Sequence, residues 1–123
     1  MPIIDIQLVF ESKDQAEGNL AQNLSNALGK VLNANPGRVW VRLHLLNSDC
    51  YAENEVTVKP SELPVFVKVL HATLPEAKIL AEQSESLATT VAACLGRQPE
   101  RVHIEYAAAG TGRMAFGRKL VQI

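Results

Sequence analysis

"LSNALGKVLNANPGRVWVRL" (24–43) and "LATTVAACLGRQPERVHIEY" (87–106) decide the fold, because the second stretch repeats the first without a gap. In each stretch, apolar residues at helical spacing lead to a proline, and an alternating strand follows. The repeated "PxRV" and the ungapped alignment indicate an internal duplication. A shift of 63 residues aligns identical residues at Leu24 and Leu87, Leu32 and Leu95, Pro36 and Pro99, Arg38 and Arg101, and Val39 and Val102.

The first copy predicts a β-α-β unit. "PIIDIQLVF" (2–10) is short and rich in Ile, Leu and Val, which is typical of a buried strand. Ser12 and Asp14 are residue types that begin helices, and the apolar spacing after them predicts an amphipathic helix over 14–33. "RVWVRLHLL" (38–46) alternates apolar and polar residues and therefore predicts a second strand.

The second copy predicts the same order of elements. "PVFVKVLHA" (64–72) reads as a strand that opens with proline, and Pro75 and Glu76 suit the first turn of a helix. "RVHIEY" (101–106) alternates as a strand does. The polar residues 47–63 between the copies predict a connecting loop.

Two β-α-β units predict a two-layer α/β (α+β) fold, with a four-stranded sheet and two helices on one face. Right-handed crossovers make the two strands of each unit parallel. The alternation then places four residues on the sheet face away from the helices: Trp40, Arg42, His103 and Glu105. Because a broad uncovered sheet face is usually completed by another subunit, we expect an oligomer.

A chain of 123 residues is long enough for one domain. We expect a single domain over 1–123, made of a first repeat (1–55), a linker (56–63) and a second repeat (64–123). The 12 basic and 13 acidic residues give a net charge of -1, which predicts neither nucleic-acid nor membrane binding.

The cysteines and histidines predict no metal site. Cys50 and Cys94 lack metal-ligand spacing, and His44, His71 and His103 belong to separate segments. We expect two free thiols and a cytoplasmic location, since no signal-peptide pattern or membrane span is evident. "AGTGRMAFG" (109–117) fails the GxGxxG spacing, so no nucleotide cofactor is predicted and no other cofactor is expected.

Pro2 is the first candidate for chemistry. After removal of Met1, its nitrogen is a secondary amine, and burial in an apolar pocket lowers the pKa of such a cationic group. A neutral prolyl nitrogen held by a strand would act as a general base. The structural alternative is a proline that only begins a strand.

Two further pairs share the open sheet face. His103 and Glu105 are two residues apart on one strand, where they suit acid–base support, substrate hydrogen bonding or a subunit contact. Trp40 and Arg42 could bind a carboxylate through the guanidinium fork. The alternative for this pair is a packed interface with a salt bridge from Arg42 to Glu105.

The chain as a whole resembles the tautomerase superfamily, which includes 4-oxalocrotonate tautomerase and macrophage migration inhibitory factor. "PERVHIEYAAAGTGRMAFG" (99–117) is similar to the "PDRVYINYYDM…VGW" ending of the inhibitory-factor branch, and "LHATL" (70–74) is similar to its "LHSIG". The resemblance implies a ferredoxin-like fold and a homotrimer. Its pockets would lie at subunit boundaries around the amino-terminal proline.

The resemblance also implies roles for individual residues. Pro2 matches the catalytic proline, and His103 and Glu105 match a tyrosine and an asparagine of the inhibitory-factor site. Thr73, Met114 and Phe116 match apolar residues of the pocket. The substrate-binding candidates are therefore His103, Glu105, Arg42, Trp40, Thr73, Met114 and Phe116.

The implied function is a tautomerase or isomerase that acts on a small keto/enol carboxylic acid. One alternative is a catalytically idle trimer that binds a ligand or a protein partner, because Ser12, Ala34 and Trp40 stand where relatives have arginine or lysine. A further alternative is a decarboxylase or hydratase of a small 3-carbon acid.

Overall fold

A computed structural model of the protein describes residues 2–11 and 18–122. Two helices and a four-stranded sheet account for most of the secondary structure, and a short hairpin follows them. The elements in chain order are β1 (Ile3–Phe10), α1 (Leu20–Val31), β2 (Trp40–Asn47), β3 (Val65–Leu70), α2 (Ala77–Leu95), β4 (Val102–Tyr106), β5 (Ala115–Phe116) and β6 (Lys119–Leu120).

The sheet has the order β2-β1-β3-β4. β1 and β2 are parallel, β3 and β4 are parallel, and the two repeats meet through the antiparallel pair β1 and β3. The register is identical in the two repeats, since Ile4 lies opposite Val41 and Val67 lies opposite Ile104. The predicted sheet of two fused β-α-β units is therefore confirmed.

The core lies between the sheet and the two helices. Both helices contribute buried leucines or valines at equivalent positions, namely Leu24 and Leu28 in α1 and Leu87 and Val91 in α2. These residues pack against one face of the sheet, where the buried side chains are Ile4, Ile6, Leu8, Val65, Val67, Val69 and Val102. The hydrophobic effect therefore stabilises both repeats through one shared core.

The helix boundaries differ from the predicted ones. α1 begins at Leu20, and the predicted helix-start residues Ser12 and Asp14 lie outside the described residues. α2 begins at Ala77, because Glu76 is extended, with a ψ of 161°, and caps the helix instead of lying in its first turn. Pro75 therefore precedes the helix. α2 ends at Leu95 and is capped by Gly96, whose φ of 65° belongs to the left-handed region that glycine tolerates.

Pro2 and Pro64 each precede the first strand of a repeat, but they are not structural counterparts. The strands and helices of the two repeats are related by the shift of 63 residues, which pairs Pro2 with Val65. No described helix is long and apolar enough to cross a membrane.

Candidate active site

Pro2 is buried at the start of β1, and its carbonyl accepts a hydrogen bond from the Trp40 backbone N–H at 3.2 Å. This bond fixes the residue that precedes β1 against the first residue of β2. A pocket of about 520 Å³ opens beside Pro2. It is lined by Pro2, Leu32, Asn33, Ala34, Asn35, Arg38, His71 and Gln83.

The turn after α1 forms one wall of the pocket. Asn33 adopts a positive φ of 54°, and the Ala34 N–H donates to the Gly29 carbonyl at 2.9 Å. The Arg38 N–H then donates to the Asn35 carbonyl at 3.1 Å. "NANPG" therefore both ends the helix and brings Arg38 to the pocket that contains Pro2.

A polar cluster forms the opposite wall. The Gln83 side-chain oxygen accepts from the Tyr106 hydroxyl at 2.9 Å and lies 2.8 Å from His71 Nε2. The rings of His71 and Tyr106 stack with centroids 5.9 Å apart. Burial raises the pKa of Tyr106, so its hydroxyl stays protonated at neutral pH and donates to Gln83. These contacts hold Gln83 at the pocket surface.

Arg38 is the only residue with a permanent charge among the described residues that line the pocket. Its side chain is exposed and forms no ion pair within the part of the chain that the structure describes. The lining that residues 2–11 and 18–122 provide also contains no carboxylate. The pocket therefore carries a net positive charge beside Pro2, which suits a small anion.

Arg101, the counterpart of Arg38 in the second repeat, contacts both a backbone carbonyl and a carboxylate. Its Nε donates to the Glu62 carbonyl and its Nη2 contacts Glu53 Oε2, both at 2.5 Å. The Tyr51 hydroxyl also donates to Glu53 Oε2 at 2.6 Å. The hydrogen bond from Tyr51, followed by that from Arg101, lowers the pKa of Glu53 below its ordinary value. The same position therefore holds a structural cation in the second repeat, and in the first repeat it holds a cation with no ion-pair partner among the described residues.

Several predicted site residues lie near the same end of the sheet as Pro2. Trp40 contacts Phe116 edge to face, with ring centroids 5.3 Å apart, and its indole N–H donates to the Gly37 carbonyl. The segment of Thr73 is tied to that of Met114, because the Gly110 N–H donates to the His71 carbonyl at 2.8 Å. The Met114 N–H in turn donates to the Gly110 carbonyl at 2.7 Å.

The remaining predicted residues lie on the open sheet face. Of all the predicted site residues, Pro2 alone is among the described residues that line the pocket. His103 stacks obliquely on Phe66, with centroids 5.5 Å apart, and Glu105 lies 3.9 Å from Lys68. A shallow depression of about 480 Å³ on this face is lined by Asp5, Gln7, His44, Phe66, Val67, Lys68, His103, Ile104 and Glu105. Within one chain, His103 and Glu105 are therefore separate from Pro2.

The alternative salt bridge from Arg42 to Glu105 is wrong. Arg42 pairs with Asp5 through two hydrogen bonds, from Nε at 2.5 Å and from Nη2 at 2.9 Å. The register explains this choice, because Asp5 lies directly opposite Arg42 while Glu105 lies two strands farther away. Asp5 raises the pKa of the Arg42 guanidinium through this hydrogen bond.

The part of the chain that the structure describes contains no group of three residues that could hold a metal ion. Cys50 and Cys94 are free thiols, as predicted, and Cys50 is exposed.

Sequence reasoning missed Arg38, His71 and Gln83 as pocket residues. Arg38 was visible only as part of the repeated "PxRV". Gln83 had a clearer signal, since it follows Leu80 by three residues and precedes Leu87 by four, on the apolar stripe of α2. A polar side chain on a buried stripe indicates a hydrogen-bonding role.

No family model matches the sequence, and a search among curated proteins found no match. Solved structures do match. A fused 4-OT protein that forms a symmetric trimer is 17% identical, with a TM-score of 0.70 over 97% of this chain and 94% of that chain. Pt0534, inactivated by 2-oxo-3-pentynoate, is 15% identical, with a TM-score of 0.74 over 97% and 94%.

The macrophage migration inhibitory factor from Trichinella spiralis is also similar. It is 14% identical, with a TM-score of 0.65 over 95% of this chain and 97% of that chain. At these identities the likeness shows a common fold.

Proposed function

This chain has the tautomerase-superfamily fold, and on that premise we infer that it is a tautomerase or isomerase with Pro2 as general base. The substrate is a small keto/enol carboxylic acid. The observation that carries the proposal is the pocket of about 520 Å³ that buried Pro2 and Arg38 line together. A base and a cation in one pocket suit proton abstraction from a carboxylic acid.

The chemistry requires one proton transfer in each direction. The neutral Pro2 nitrogen takes a proton from the carbon next to a carbonyl, and the electron pair of that C–H bond passes into an enolate or dienolate. The protonated nitrogen then returns the proton to a second atom of the substrate. Burial of Pro2 favours its neutral form at the start of the cycle, because desolvation disfavours the charged amine.

Removal of Met1 is a condition of the proposal. When Met1 is present, the Pro2 nitrogen belongs to an amide and is not a base. Measurement of the intact mass therefore precedes every activity assay, and only protein that begins at Pro2 is expected to be active.

A homotrimer accounts for the two separate groups of predicted residues. The uncovered sheet face that contains Arg42, His103 and Glu105 suits a contact with another copy. In such an assembly these side chains would assist Pro2 from across a subunit boundary. One of the structures with this fold, the fused 4-OT protein, is a symmetric trimer.

Replacement of Pro2 by Ala tests the proposal. We expect Pro2→Ala to slow keto–enol conversion of phenylpyruvate by about 100-fold or more, the usual contribution of a positioned general base. The matched control is Pro64→Ala, since Pro64 also opens a strand but has an acylated nitrogen. Equal rates for Pro2→Ala and the parent protein would contradict the proposal and favour the ligand-binding alternative.

A further inference from the structure

We propose that the second repeat contains a binding site for a small carboxylate, and that Glu53 fills this site as a ligand from the chain itself. Arg101 and the Tyr51 hydroxyl are the donors of the site. When the Glu53 side chain is absent, a free carboxylate of the size of acetate takes its place. The inference concerns a second site and does not depend on the chemistry of Pro2.

The backbone that borders the Pro2 pocket recurs in the second repeat. Two backbone hydrogen bonds of the turn after α1 recur in the turn after α2 at a shift of 63 residues, from the Arg97 N–H to the Ala92 carbonyl and from the Arg101 N–H to the Gln98 carbonyl. Gly96 has a positive φ of 65°, near the 54° of its counterpart. Because the first turn borders a pocket of about 520 Å³, the second has the backbone shape that a pocket needs.

The segment before β3 lies against this second turn. Arg97 Nη1 donates to the Leu63 carbonyl at 2.8 Å, and Arg101 Nε donates to the Glu62 carbonyl at 2.5 Å. Leu63 and Pro64 are buried. The segment therefore covers the turn, and its carbonyls hold both guanidinium groups in place.

The Glu53 carboxylate is bound as a ligand would be. Its Oε2 accepts from the Tyr51 hydroxyl at 2.6 Å and from Arg101 Nη2 at 2.5 Å. Each donor is also held by a contact that does not involve Glu53, since Arg101 donates to the Glu62 carbonyl and the Tyr51 ring packs on Phe66 with centroids 5.9 Å apart. The two donors are therefore preorganised, and removal of the Glu53 side chain leaves them aimed at the same place.

Glu53 reaches this site from a turn that is the counterpart of the β5–β6 hairpin. Glu53 pairs with Val56 in an antiparallel bridge, and Phe116 pairs with Lys119 at the same shift of 63 residues. Phe116 contacts the Trp40 ring of the first repeat, whereas Glu53 brings a carboxylate to the second repeat. The fold therefore accepts side chains without charge at this place, and the carboxylate of Glu53 is specific to the site.

The size of the ligand follows from the side chain that it replaces. Beyond its β-carbon, Glu53 consists of one methylene carbon and a carboxylate, which are the heavy atoms of one acetate ion. The Glu53 side chain is 30% exposed, so an ion can enter from solvent. A carboxylate attached to the chain has an effective concentration of about 1 mM or more, so Glu53 excludes dilute free carboxylates from the parent protein.

Thermal unfolding of the full-length protein at neutral pH tests the site. Glu53→Ala should unfold about 3–10 °C below the parent protein in sodium chloride, because Arg101 and Tyr51 lose a charged acceptor. Replacement of chloride by acetate at constant ionic strength should recover about half of this difference or more. The half-maximal acetate concentration should be on the order of 10–100 mM, as for one small anion held by charge-assisted hydrogen bonds.

Glu53→Gln is the matched control, since its side chain fills the same space without the charge. Acetate should raise its unfolding temperature no more than it raises that of the parent protein. The double variant Glu53→Ala/Arg101→Gln should also fail to respond, because the cationic donor is gone. Equal responses of Glu53→Ala and Glu53→Gln to acetate would overturn the inference.

The side-chain N–H resonance of Arg101 gives a second measurement that does not depend on stability. In ¹H–¹⁵N spectra of Glu53→Ala, this resonance should shift saturably as acetate is added. Arg42, which pairs with Asp5, is the internal control and should not follow the same curve. Absence of a saturable shift at Arg101 would overturn the inference. If Glu53→Ala is unfolded in chloride, acetate should restore its folded spectrum, and failure to do so would overturn the inference as well.

Discussion

The two repeats of this protein have the same backbone fold but differ in the contacts of one equivalent arginine. Both pair their strands with the same register, and both bury two apolar helix residues at positions related by the same shift. Arg101 contacts Glu53 and a backbone carbonyl, whereas Arg38 lines a pocket without an ion-pair partner in the described chain. The duplication thus conserves the core, and the pocket arises where the repeats diverge.

The segment before β3 explains part of this difference. Glu53 and Glu62, which precede β3, supply the carboxylate and the carbonyl that Arg101 contacts. The charge of Arg101 is therefore neutralised, whereas Arg38 has no ion-pair partner among the described residues.

The largest predicted effect tests whether buried residues of the two repeats contribute equally to the free energy of unfolding. Leu24→Ala and Leu87→Ala should each lower the free energy of unfolding by about 2–5 kcal/mol, because both side chains are fully buried and leave a cavity. Denaturant unfolding of the two variants measures the loss.

Their difference is the informative quantity. The two losses should agree within about 1 kcal/mol, which is less than the spread among unrelated buried leucines. A protein in which only one substitution matters would contradict the single shared core. Val31→Ala is a suitable control, since Val31 is exposed.

A smaller effect tests the two arginines. Arg101→Gln should lower the free energy of unfolding by about 1–2 kcal/mol, because the Glu62 carbonyl loses a charged donor and Glu53 loses its partner. Arg38→Gln should change stability by less than about 0.5 kcal/mol, as is usual for an exposed side chain. Thermal unfolding of both variants checks this.

The reverse ranking would contradict the comparison. If Arg38→Gln were the more destabilising variant, Arg38 would have a structural partner and could not be reserved for a ligand.

The smallest effect concerns pH. Because the folded structure lowers the pKa of Glu53, this group stabilises the fold above its unfolded-state pKa, and the stabilisation is lost as pH falls through the folded-state value. The parent protein should therefore lose slightly more stability on acidification than Glu53→Gln. Urea unfolding at neutral pH and at about pH 3, below the ordinary glutamate pKa, measures the difference.

If the free energy of unfolding changed equally with pH in the parent protein and in Glu53→Gln, Glu53 would not interact with Tyr51 and Arg101 in solution. Glu55→Gln provides the control, because Glu55 is exposed and close in sequence.

The fold was predictable from the sequence because it depends on periodicity and on the repeat. The alternation of Val39 and Val41 and the apolar spacing of α1 and α2 are local patterns, and the shift of 63 residues joined them into two units. The start of α2 was less predictable, because Pro75 suits either the first turn or the segment before it.

The site was less predictable because the Pro2 pocket is built by contacts between distant segments. Gln83 reaches His71 and Tyr106 across 12 and 23 residues, and no motif connects them. The alternative partner given for Arg42 was wrong for a related reason, because the order of the strands cannot be read from the sequence. That order places Asp5, and not Glu105, opposite Arg42.

Covalent labelling with 2-oxo-3-pentynoate tests the central claim most directly, because the reagent is an electrophilic 2-oxo carboxylate and inactivates the similar protein Pt0534. The Cys50→Ser variant is used, since the Cys50 thiol is exposed and nucleophilic. We predict one molecule of reagent per chain, located at Pro2 by peptide mapping, with slower labelling in the presence of phenylpyruvate and none at residue 2 when Met1 is retained. Labelling elsewhere with Pro2 unmodified, in protein verified to begin at Pro2, would contradict the claim.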